Sequence, residues 1–185
     1  MTAVISLLRG VNVGGHNMIK MEALRALYES IGLRDVQSYV QSGNVVFRTE
    51  RKEMAALAKK IEDAIEHKFG FRPPVVLRTA AELREVVAKN PFAKRSGIEP
   101  GKLLVSFLVD DTAAEDRELL RQTKFDPEEL HIGSRHLYIY FPTGQGNTKL
   151  NMKMIDGTLK TSGTGRNWNS VLKLLEMAGG SHGAC

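Results

Sequence analysis

Residues 36–49 read VQSYVQSGNVVFRT, a pattern of two β-rich runs around a short polar segment. Two runs rich in β-forming residues, 36–41 and 45–49, flank the tripeptide Ser42-Gly43-Asn44. A Gly-Asn pair between two such runs suits a tight turn in which the glycine takes a positive φ. The stretch is therefore predicted to form a hairpin of two antiparallel strands.

Strand and helix patterns flank this hairpin on both sides. Residues 3–9 are a nearly continuous apolar strand, and apolar side chains then recur at helical spacing over residues 21–31. A second helical pattern covers residues 54–69, and residues 75–78 after a Pro-Pro pair form a fourth strand. The first 79 residues thus have the order β-α-β-β-α-β, which is typical of a ferredoxin-like unit.

The rest of the chain resembles an imperfect second copy. Residues 103–109 are predicted to form a strand, and Gly133-Ser134-Arg135 is predicted to be the turn of a second hairpin. We therefore expect an α+β fold of two ferredoxin-like (βαββαβ) halves, the second imperfect, with additional C-terminal helices. The expected boundaries are 1–79 for the first subdomain, 80–178 for the second, and 179–185 for a flexible tail.

Capping patterns predict where the helices of this second part begin. Capping boxes at Thr79 and Thr112 indicate one helix each. A further helix is expected near Thr148, with Asn147 or Thr148 as its cap. The last helix is expected over residues 168–178, with an apolar face formed by Trp168, Val171, Leu172, Leu175 and Ala178. If the stretch before it were ordinary capping, Thr164 would be its cap.

Composition places the chain among ordinary globular proteins. It has 185 residues, of which 42% are apolar and 25% charged, and no apolar run approaches the ~20 residues of a membrane span. The N-terminus lacks the pattern of a secretion signal, so we expect a cytoplasmic protein with no membrane association. The single cysteine, Cys185, allows no internal disulfide. A net charge of +5 favours anionic partners, although it also serves solubility; the oligomeric state is not indicated.

Two polar, glycine-bearing segments are predicted to meet at one end of the first sheet. In a βαββαβ unit the first two strands run in the same direction, so their exit loops emerge together. We call these segments, residues 9–20 and 41–44, the rim. No acidic residue lies between Arg9 and Lys20, so the rim is electropositive. Its polar side chains are Arg9, Asn12, His16, Asn17, Lys20, Gln41, Ser42 and Asn44.

The glycines of the rim match neither standard phosphate loop. Gly10 and Gly15 have the Gly-x-x-x-x-Gly spacing, but His16-Asn17 replaces Lys-Ser/Thr, and Asn12 replaces the second Rossmann glycine. Glycines still allow a backbone to approach an anion and offer it N–H groups. The alternative is that they only permit a tight turn, with the asparagines bonding the backbone.

Two later stretches repeat this chemistry before predicted helices. Residues 161–170 place Arg166 and Asn167 beside Trp168, which is more than a single helix cap requires. Residues 143–149 are interpreted as ordinary capping, and Lys149, Lys153 and Lys160 as a solvated basic face. Trp168 shares a helical phase with Val171 and is predicted to be a core residue.

Three of these motifs together resemble the bacterial family known as domain of unknown function 1697. They are residues 7–15 (LLRGVNVGG), 41–47 (QSGNVVF) and 166–170 (RNWNS), and the resemblance covers residues 3–178. The resemblance implies a cytoplasmic protein of two ferredoxin-like halves, with no established activity to transfer. It implies motif residues at Arg9, Gly10, Asn12, Gly14, Gly15, Gln41, Ser42, Gly43, Asn44, Arg166, Asn167 and Trp168.

From these residues we expect a phosphate-bearing small ligand, such as a nucleotide, at the rim. Arg9 and Arg166 would hold the phosphate, and the ligand-binding set as a whole comprises Arg9, Gly10, Asn12, Gly14, Gly15, His16, Gln41, Ser42, Asn44, Arg166 and Asn167. One alternative is an enzyme that uses His16 as general acid or base, although no third group is visible to orient a Ser42–His16 dyad. Another is nucleic-acid binding by the basic face.

No metal or cofactor is expected. His131 and His136 lie in predicted strands without Glu or Cys at ligand spacing. The rim lacks a pair of close carboxylates, and Asp110-Asp111 follows a strand elsewhere in the chain. Glycosidase-type and two-metal mechanisms therefore have no evident residues at the rim.

Overall fold

The computed structural model describes residues 1–179, and its internal contacts divide the chain into two compact units. Unit 1 comprises Met1–Glu85 together with the segment that starts at Lys173, and unit 2 comprises Val86–Leu172. None of the helices in the described residues has the length and apolar character that a membrane span requires.

Unit 1 contains a four-stranded antiparallel sheet with two helices inserted in the βαββαβ order. Its elements are β1 Thr2–Leu8, α1 Met21–Ser30, β2 Arg34–Tyr39, β3 Asn44–Thr49, α2 Met54–Phe69 and β4 Val75–Thr79. The strand order is β2-β3-β1-β4, so β1 and β2 run in the same direction. This is the arrangement that the sequence predicts for the first half.

The core of unit 1 lies between its helices and one face of the sheet. Leu24 and Tyr28 of α1 and Ile61 of α2 belong to one buried cluster with alternate residues of the central strands. The Tyr28 hydroxyl forms a 2.9 Å hydrogen bond with the Ser6 hydroxyl, and burial raises the pKa of Tyr28. The apolar faces predicted by the 3.6-residue spacing of the helices and the 2-residue spacing of the strands therefore pack against each other.

Unit 2 repeats this plan. Its strands are β5 Leu103–Leu108, β6 Glu129–Ile132, β7 His136–Tyr140 and β8 Gly163–Asn167, and its sheet order is β6-β7-β5-β8. The inserted helices are α4 Ala114–Gln122 and α5 Met152–Leu159, while α3 Ala80–Ala88 follows β4 and α6 Trp168–Gly179 follows β8. Short 3₁₀ turns cover Pro100–Lys102 and Gln145–Asn147. The chain thus consists of two ferredoxin-like halves, as predicted.

The same backbone hydrogen bonds recur where the central strand of each sheet ends. In unit 1, the Leu8 N–H donates to the Gly43 carbonyl at 3.0 Å, and the Arg9 N–H donates to the Pro74 carbonyl at 3.0 Å. In unit 2, Leu108 donates to the Arg135 carbonyl at 3.0 Å, and Val109 donates to the Ser162 carbonyl at 2.9 Å. These junctions support the predicted internal duplication.

Strand β8 has the sequence GTGRN, which lacks the alternation of apolar and polar residues typical of a strand, so the sequence does not predict it. Its glycines make room for the neighbouring strand. A Cβ at Gly163 would lie 2.2 Å from the Ser106 Oγ, and one at Gly165 would lie 3.0 Å from a Leu104 methyl group. Thr164, the cap in the ordinary-capping alternative, is instead a buried strand residue. Asn167 caps α6 by accepting the Ser170 N–H at 2.8 Å.

Helix starts in unit 2 also differ from the prediction, whereas the capping box at Thr79 is confirmed. The N-cap of α4 is Ala113, and the Thr112 hydroxyl instead accepts a hydrogen bond from Arg117. Helix α5 begins at Met152 with Asn151 as its cap, so Asn147 and Thr148 do not cap it. The Thr148 hydroxyl is used elsewhere, since it donates to Glu128 at 2.5 Å.

The apolar face of α6 is rotated from the predicted one. Leu174 is buried and Leu172 is 42% exposed, while Trp168 is only half-buried. The helix includes Gly179; the rest of the predicted tail, with Cys185, lies outside the described residues.

Candidate functional site

The two segments of the rim contact each other in unit 1. The Asn12 side-chain amide donates to the Gln41 carbonyl at 2.6 Å, and Leu8 bonds the Gly43 carbonyl. Gly43 packs so closely that an added Cβ would lie 2.7 Å from the Leu8 Cβ and 3.5 Å from the Val11 Cβ. The parallel directions of β1 and β2 therefore bring these loops together, as the topology predicts.

The rim loop is a miniature hairpin. Val13 and His16 form an antiparallel bridge, the Asn12 N–H donates to the Asn17 carbonyl at 3.1 Å, and the His16 N–H donates to the Val13 carbonyl at 3.0 Å. Gly14 and Gly15 occupy its tip with φ values of 57° and 77°. Two consecutive positive φ values define a type I′ turn, which explains why glycines stand there.

The asparagines of this loop hold its shape. Asn12 has a φ of 55°, and its side chain accepts the Ile19 N–H at 2.7 Å and donates to the Ile19 carbonyl at 3.0 Å. Asn17 has a φ of 51°, and its amide donates to the Gly10 carbonyl at 3.1 Å. Asparagine tolerates this left-handed conformation better than most residues. Both amides are thus engaged with the backbone.

Two of the three polar side chains of the adjoining turn, Asn44 and Ser42, are hydrogen-bonded to each other and at least half-buried. Asn44 is fully buried, and its amide donates to the Tyr39 carbonyl at 3.1 Å and to the Ser42 hydroxyl at 3.0 Å. Ser42 is half-buried, and Gln41 is exposed. Of these three side chains, Gln41 is the exposed one.

The outward surface of the rim combines cations, backbone donors and apolar side chains. Arg9, His16 and Lys20 are exposed, and the N–H groups of Gly14 and Gly15 have no hydrogen-bond partner within residues 1–179. Exposed apolar side chains accompany them, namely Val13 at 62%, Met18 at 64% and Val40 at 52%. An anion with a partly apolar body matches this surface chemically.

Arg166 and Asn167 belong to unit 2 and have local roles there. Arg166 is buried on β8 opposite Val105, and it donates to the Thr164 hydroxyl at 2.8 Å and the Gly165 carbonyl at 2.9 Å. Burial lowers the pKa of Arg166 to about 10. Asn167 is the cap of α6.

Arg78 occupies the equivalent place in unit 1, although it is not among the residues predicted for the site. It is 3% exposed on β4 opposite Ile5, and its guanidinium donates to the Leu77 carbonyl at 2.8 Å. An arginine inside the apolar run 75–79 was the available signal. The two halves therefore carry a buried arginine at the same register position.

Two cavities of unit 1 are lined by residues outside the rim. One, of about 360 Å³, is lined by Met1, Gly32, Arg34, Arg48, Thr49, Glu50 and Arg51. The other, of about 580 Å³, is lined by Ala3, Glu29, Asp35, Val36, Gln37, Val46, Phe47, Arg48, Met177 and Ala178. The first is lined by three arginines, which the sequence pattern does not single out because they form no contiguous motif.

The histidines of unit 2 have aromatic neighbours. His131 packs edge-on to Phe92 with ring centroids 5.2 Å apart, and its Nε2 lies 3.8 Å from the Glu129 carboxylate. His136 packs edge-on to Tyr138 at 4.9 Å. Within residues 1–179, no group of three or more His, Cys, Asp or Glu side chains is arranged to hold a metal ion.

The predicted basic face is exposed but does not form one helix surface. Lys149 precedes α5, Lys153 lies within it, and Lys160 is its C-cap. The Lys160 ammonium is 3.0 Å from the Asp116 carboxylate, so part of its charge is already compensated.

The chain is thus an α+β protein of two ferredoxin-like units, with an exposed glycine-tipped hairpin, flanked by Arg9 and Lys20, at one end of the first sheet. The chain belongs to the family described as "Protein of unknown function (DUF1697)", whose model matches residues 1–138. No curated protein matches the sequence.

A solved structure with the same fold is that of the conserved bacterial protein SP0830 from Streptococcus pneumoniae. It is 21% identical in sequence, and the similarity covers 96% of this chain and 98% of that chain with a TM-score of 0.76. At this level of identity the likeness concerns the fold alone.

Proposed function

We propose that this protein binds a small phosphate-bearing ligand, such as a nucleotide, at the rim. The observation that carries the proposal is the hairpin tip, where the N–H groups of Gly14 and Gly15 lack partners within the described residues and the next residue is the exposed His16. Adjacent unpaired backbone donors with positive φ values favour an oxyanion. No carboxylate occurs between Arg9 and Lys20 to compete for them.

The residues of the rim divide into a scaffold and a contact surface. The side-chain amides of Asn12 and Asn44 donate hydrogen bonds to backbone carbonyls, so in this proposal these residues position the loops. Arg9 has its N–H bonded to the Pro74 carbonyl and an exposed side chain, which suits a cation that reaches a phosphate. The apolar body of the ligand would lie against Val13 or Met18.

We favour binding over catalysis because none of residues 1–179 orients the His16 imidazole. Its imidazole is exposed and makes no hydrogen bond within residues 1–179. A general base needs a fixed direction and usually a partner that holds its tautomer. We therefore expect His16→Ala to change ligand affinity by less than about 100-fold. A rate loss of that size is the smallest expected when a general base is removed.

The test is a titration of the ¹⁵N-labelled protein with pyrophosphate and with nucleoside mono- and triphosphates. The Gly14 and Gly15 amide signals should shift and saturate, and Arg9→Gln should weaken binding about tenfold, because it removes one charge-assisted contact. The matched control is Lys59→Gln, which makes the same change of charge at an exposed position of α2 and should have little effect.

Two outcomes would contradict the proposal. The first is a saturating ligand that leaves the Gly14 and Gly15 signals unchanged. The second is an equal loss of affinity in Lys59→Gln, which would indicate general attraction to a basic protein. A short oligonucleotide that binds tightly at physiological salt, when the small phosphates do not, would favour the nucleic-acid alternative.

A further inference from the structure

A second concave site lies at the far end of the unit 1 sheet from the rim. Pairing of β2 with β3 sets Arg34 directly opposite Arg48, and β3 ends one residue later at Thr49. Six residues of β3 separate this end from the rim turn, which corresponds to about 20 Å. The cavity of about 360 Å³ described above opens here, and we call it the arginine cavity.

Its positive charges are poorly compensated. Arg34 and Arg51 are exposed, and neither has an ion-pair or hydrogen-bond partner for its guanidinium within residues 1–179. In the described part of the chain, the ion-pair partner of Arg48 is Asp35, with 3.7 Å between Nε and a carboxylate oxygen, and the Asp35 side chain is 70% exposed. Glu50 is the one acidic residue in the lining. Three guanidiniums thus face one lining carboxylate and one weak ion pair.

The backbone holds these cations near each other. The register of the β2–β3 ladder shifts between Arg34 and Gln37, and Asp35 within this irregularity has a φ of 50°. On the other strand, the buried Thr49 hydroxyl accepts the Arg51 N–H at 3.1 Å. Irregularities of this kind redirect side chains at a sheet edge. Like charges directly opposite on neighbouring strands are unfavourable, and an oxyanion between them removes the repulsion.

We propose that the arginine cavity binds the phosphoryl group of a small phosphate ester or of pyrophosphate. Guanidinium groups bind phosphate oxygens in a bidentate manner, and several arginines around one concavity can share one phosphoryl group. The volume lies at the lower end of the range for small-molecule pockets, which suits a compact ligand. This site shares no residue with the rim, so the two proposals are independent.

The experiment measures binding of inorganic phosphate, pyrophosphate and a sugar phosphate by calorimetry and by ¹H–¹⁵N spectra. The Gly32 amide, which lines the cavity, is the reporter here. Arg34→Gln and Arg51→Gln should each weaken binding of the best probe about tenfold, and the double variant should abolish it. Lys52→Gln is the matched control, because Lys52 is exposed and adjacent to Arg51 but does not line the cavity.

Thermal denaturation tests the proposal in a second way, because the arginine substitutions should not lower the melting temperature without an anion but should remove its increase with an anion. In anion-free buffer, Arg34→Gln should melt at or above the temperature of the wild type, because it removes a like-charge pair. Pyrophosphate should raise the melting temperature of the wild type and of Lys52→Gln, but not that of the double variant. Arg9→Gln should leave the Gly32 shifts intact, which separates failure at this cavity from failure at the rim.

The proposal is overturned if the double variant binds pyrophosphate as tightly as the wild type. It is equally overturned if Lys52→Gln loses as much affinity as Arg51→Gln, or if the Gly32 signal does not move at saturation. Binding of an oligonucleotide with a steep salt dependence, when none of the small phosphates binds, would assign the cavity to nucleic acid instead and refute the small-ligand proposal.

Discussion

Replacing Gly43 by alanine tests the contact on which the candidate site depends. Gly43 lies in the turn between β2 and β3 with a φ of 77°, and an added Cβ would be 2.7 Å from the Leu8 Cβ. Leu8 is 1% exposed in the core, and its Cβ is attached directly to the backbone, so it cannot rotate away. The turn or the end of β1 must therefore move.

The expected cost is the sum of two terms. A left-handed conformation costs an alanine about 1 kcal/mol relative to glycine, and overpacking of a filled core costs about 1–3 kcal/mol more. Gly70, the C-cap of α2, has a φ of 82° but nothing within 4 Å of an added Cβ, so Gly70→Ala should lose only the first term. The difference between the two variants, about 1–3 kcal/mol, measures the close approach itself.

Both glycines belong to unit 1, so the same unfolding transition can be compared. Urea denaturation followed by circular dichroism, with the intensities of unit 1 amide signals as a second probe, gives the two free energies of unfolding. Equal destabilisation of the two variants, within about 0.5 kcal/mol, would refute the close approach of turn and loop, since additivity errors are of that size.

Two further predictions concern unit 2. Gly163→Ala places a Cβ 2.2 Å from the Ser106 Oγ and should destabilise the protein by about 2 kcal/mol. Adding Ser106→Ala removes that oxygen and should restore part of the lost stability. A double-mutant cycle that shows no coupling between the two positions would contradict this packing. Burial raises the pKa of Tyr138 from 10.0 to about 12, so the phenol of the unfolded chain ionises first and the free energy of unfolding should fall as the pH rises from 10 to 12. Tyr138→Phe also loses the hydrogen bond to the Val86 carbonyl, so it should be less stable than the wild type at pH 9, by a margin that narrows towards pH 12; parallel curves of unfolding free energy against pH would disprove the shift.

The part of the fold that the sequence predicts well is the part in which local signals and long-range pairing agree. Gly43 marks a turn by its residue type, and the structure gives it the expected positive φ. The apolar periods of α1 and α2 coincide with their buried faces. Once this βαββαβ order is established, the directions of β1 and β2 follow, and so does the meeting of the two rim segments.

Elements defined by their neighbours were not predictable in the same way. Strand β8 has a weak strand sequence, and its glycines are explained by the side chains of Ser106 and Leu104 on the adjacent strand. Asn44 is polar and follows a turn, which favoured an exposed role, yet the Tyr39 carbonyl and Ser42 hydroxyl draw its amide inward. Such partners are known only when the register is known.

The arginine cavity illustrates the same difficulty for function. Arg34 and Arg48 are separated by most of a hairpin in sequence, and the irregular register near Asp35 decides that they face each other. With Tyr39 paired to Asn44, an uninterrupted ladder would place Arg34 opposite Thr49 instead of Arg48, so the pairing of the two arginines cannot be counted from the turn. The rim was found from the sequence because its glycines are contiguous, whereas this cavity is assembled from residues that carry no motif.

The matching junctions of the two sheets show how such a protein can change its chemistry without changing its shape. Each junction is held by hydrogen bonds between main-chain N–H and carbonyl groups. Every amino acid except proline has the N–H group that the donor positions need. At equivalent places the first copy has Arg9-Gly10 and the second has Val109-Asp110, so one framework tolerates a cation in one copy and an anion in the other. The charge at the end of the central strand can therefore differ between the two halves, while the main-chain hydrogen bonds that hold the strand end remain the same.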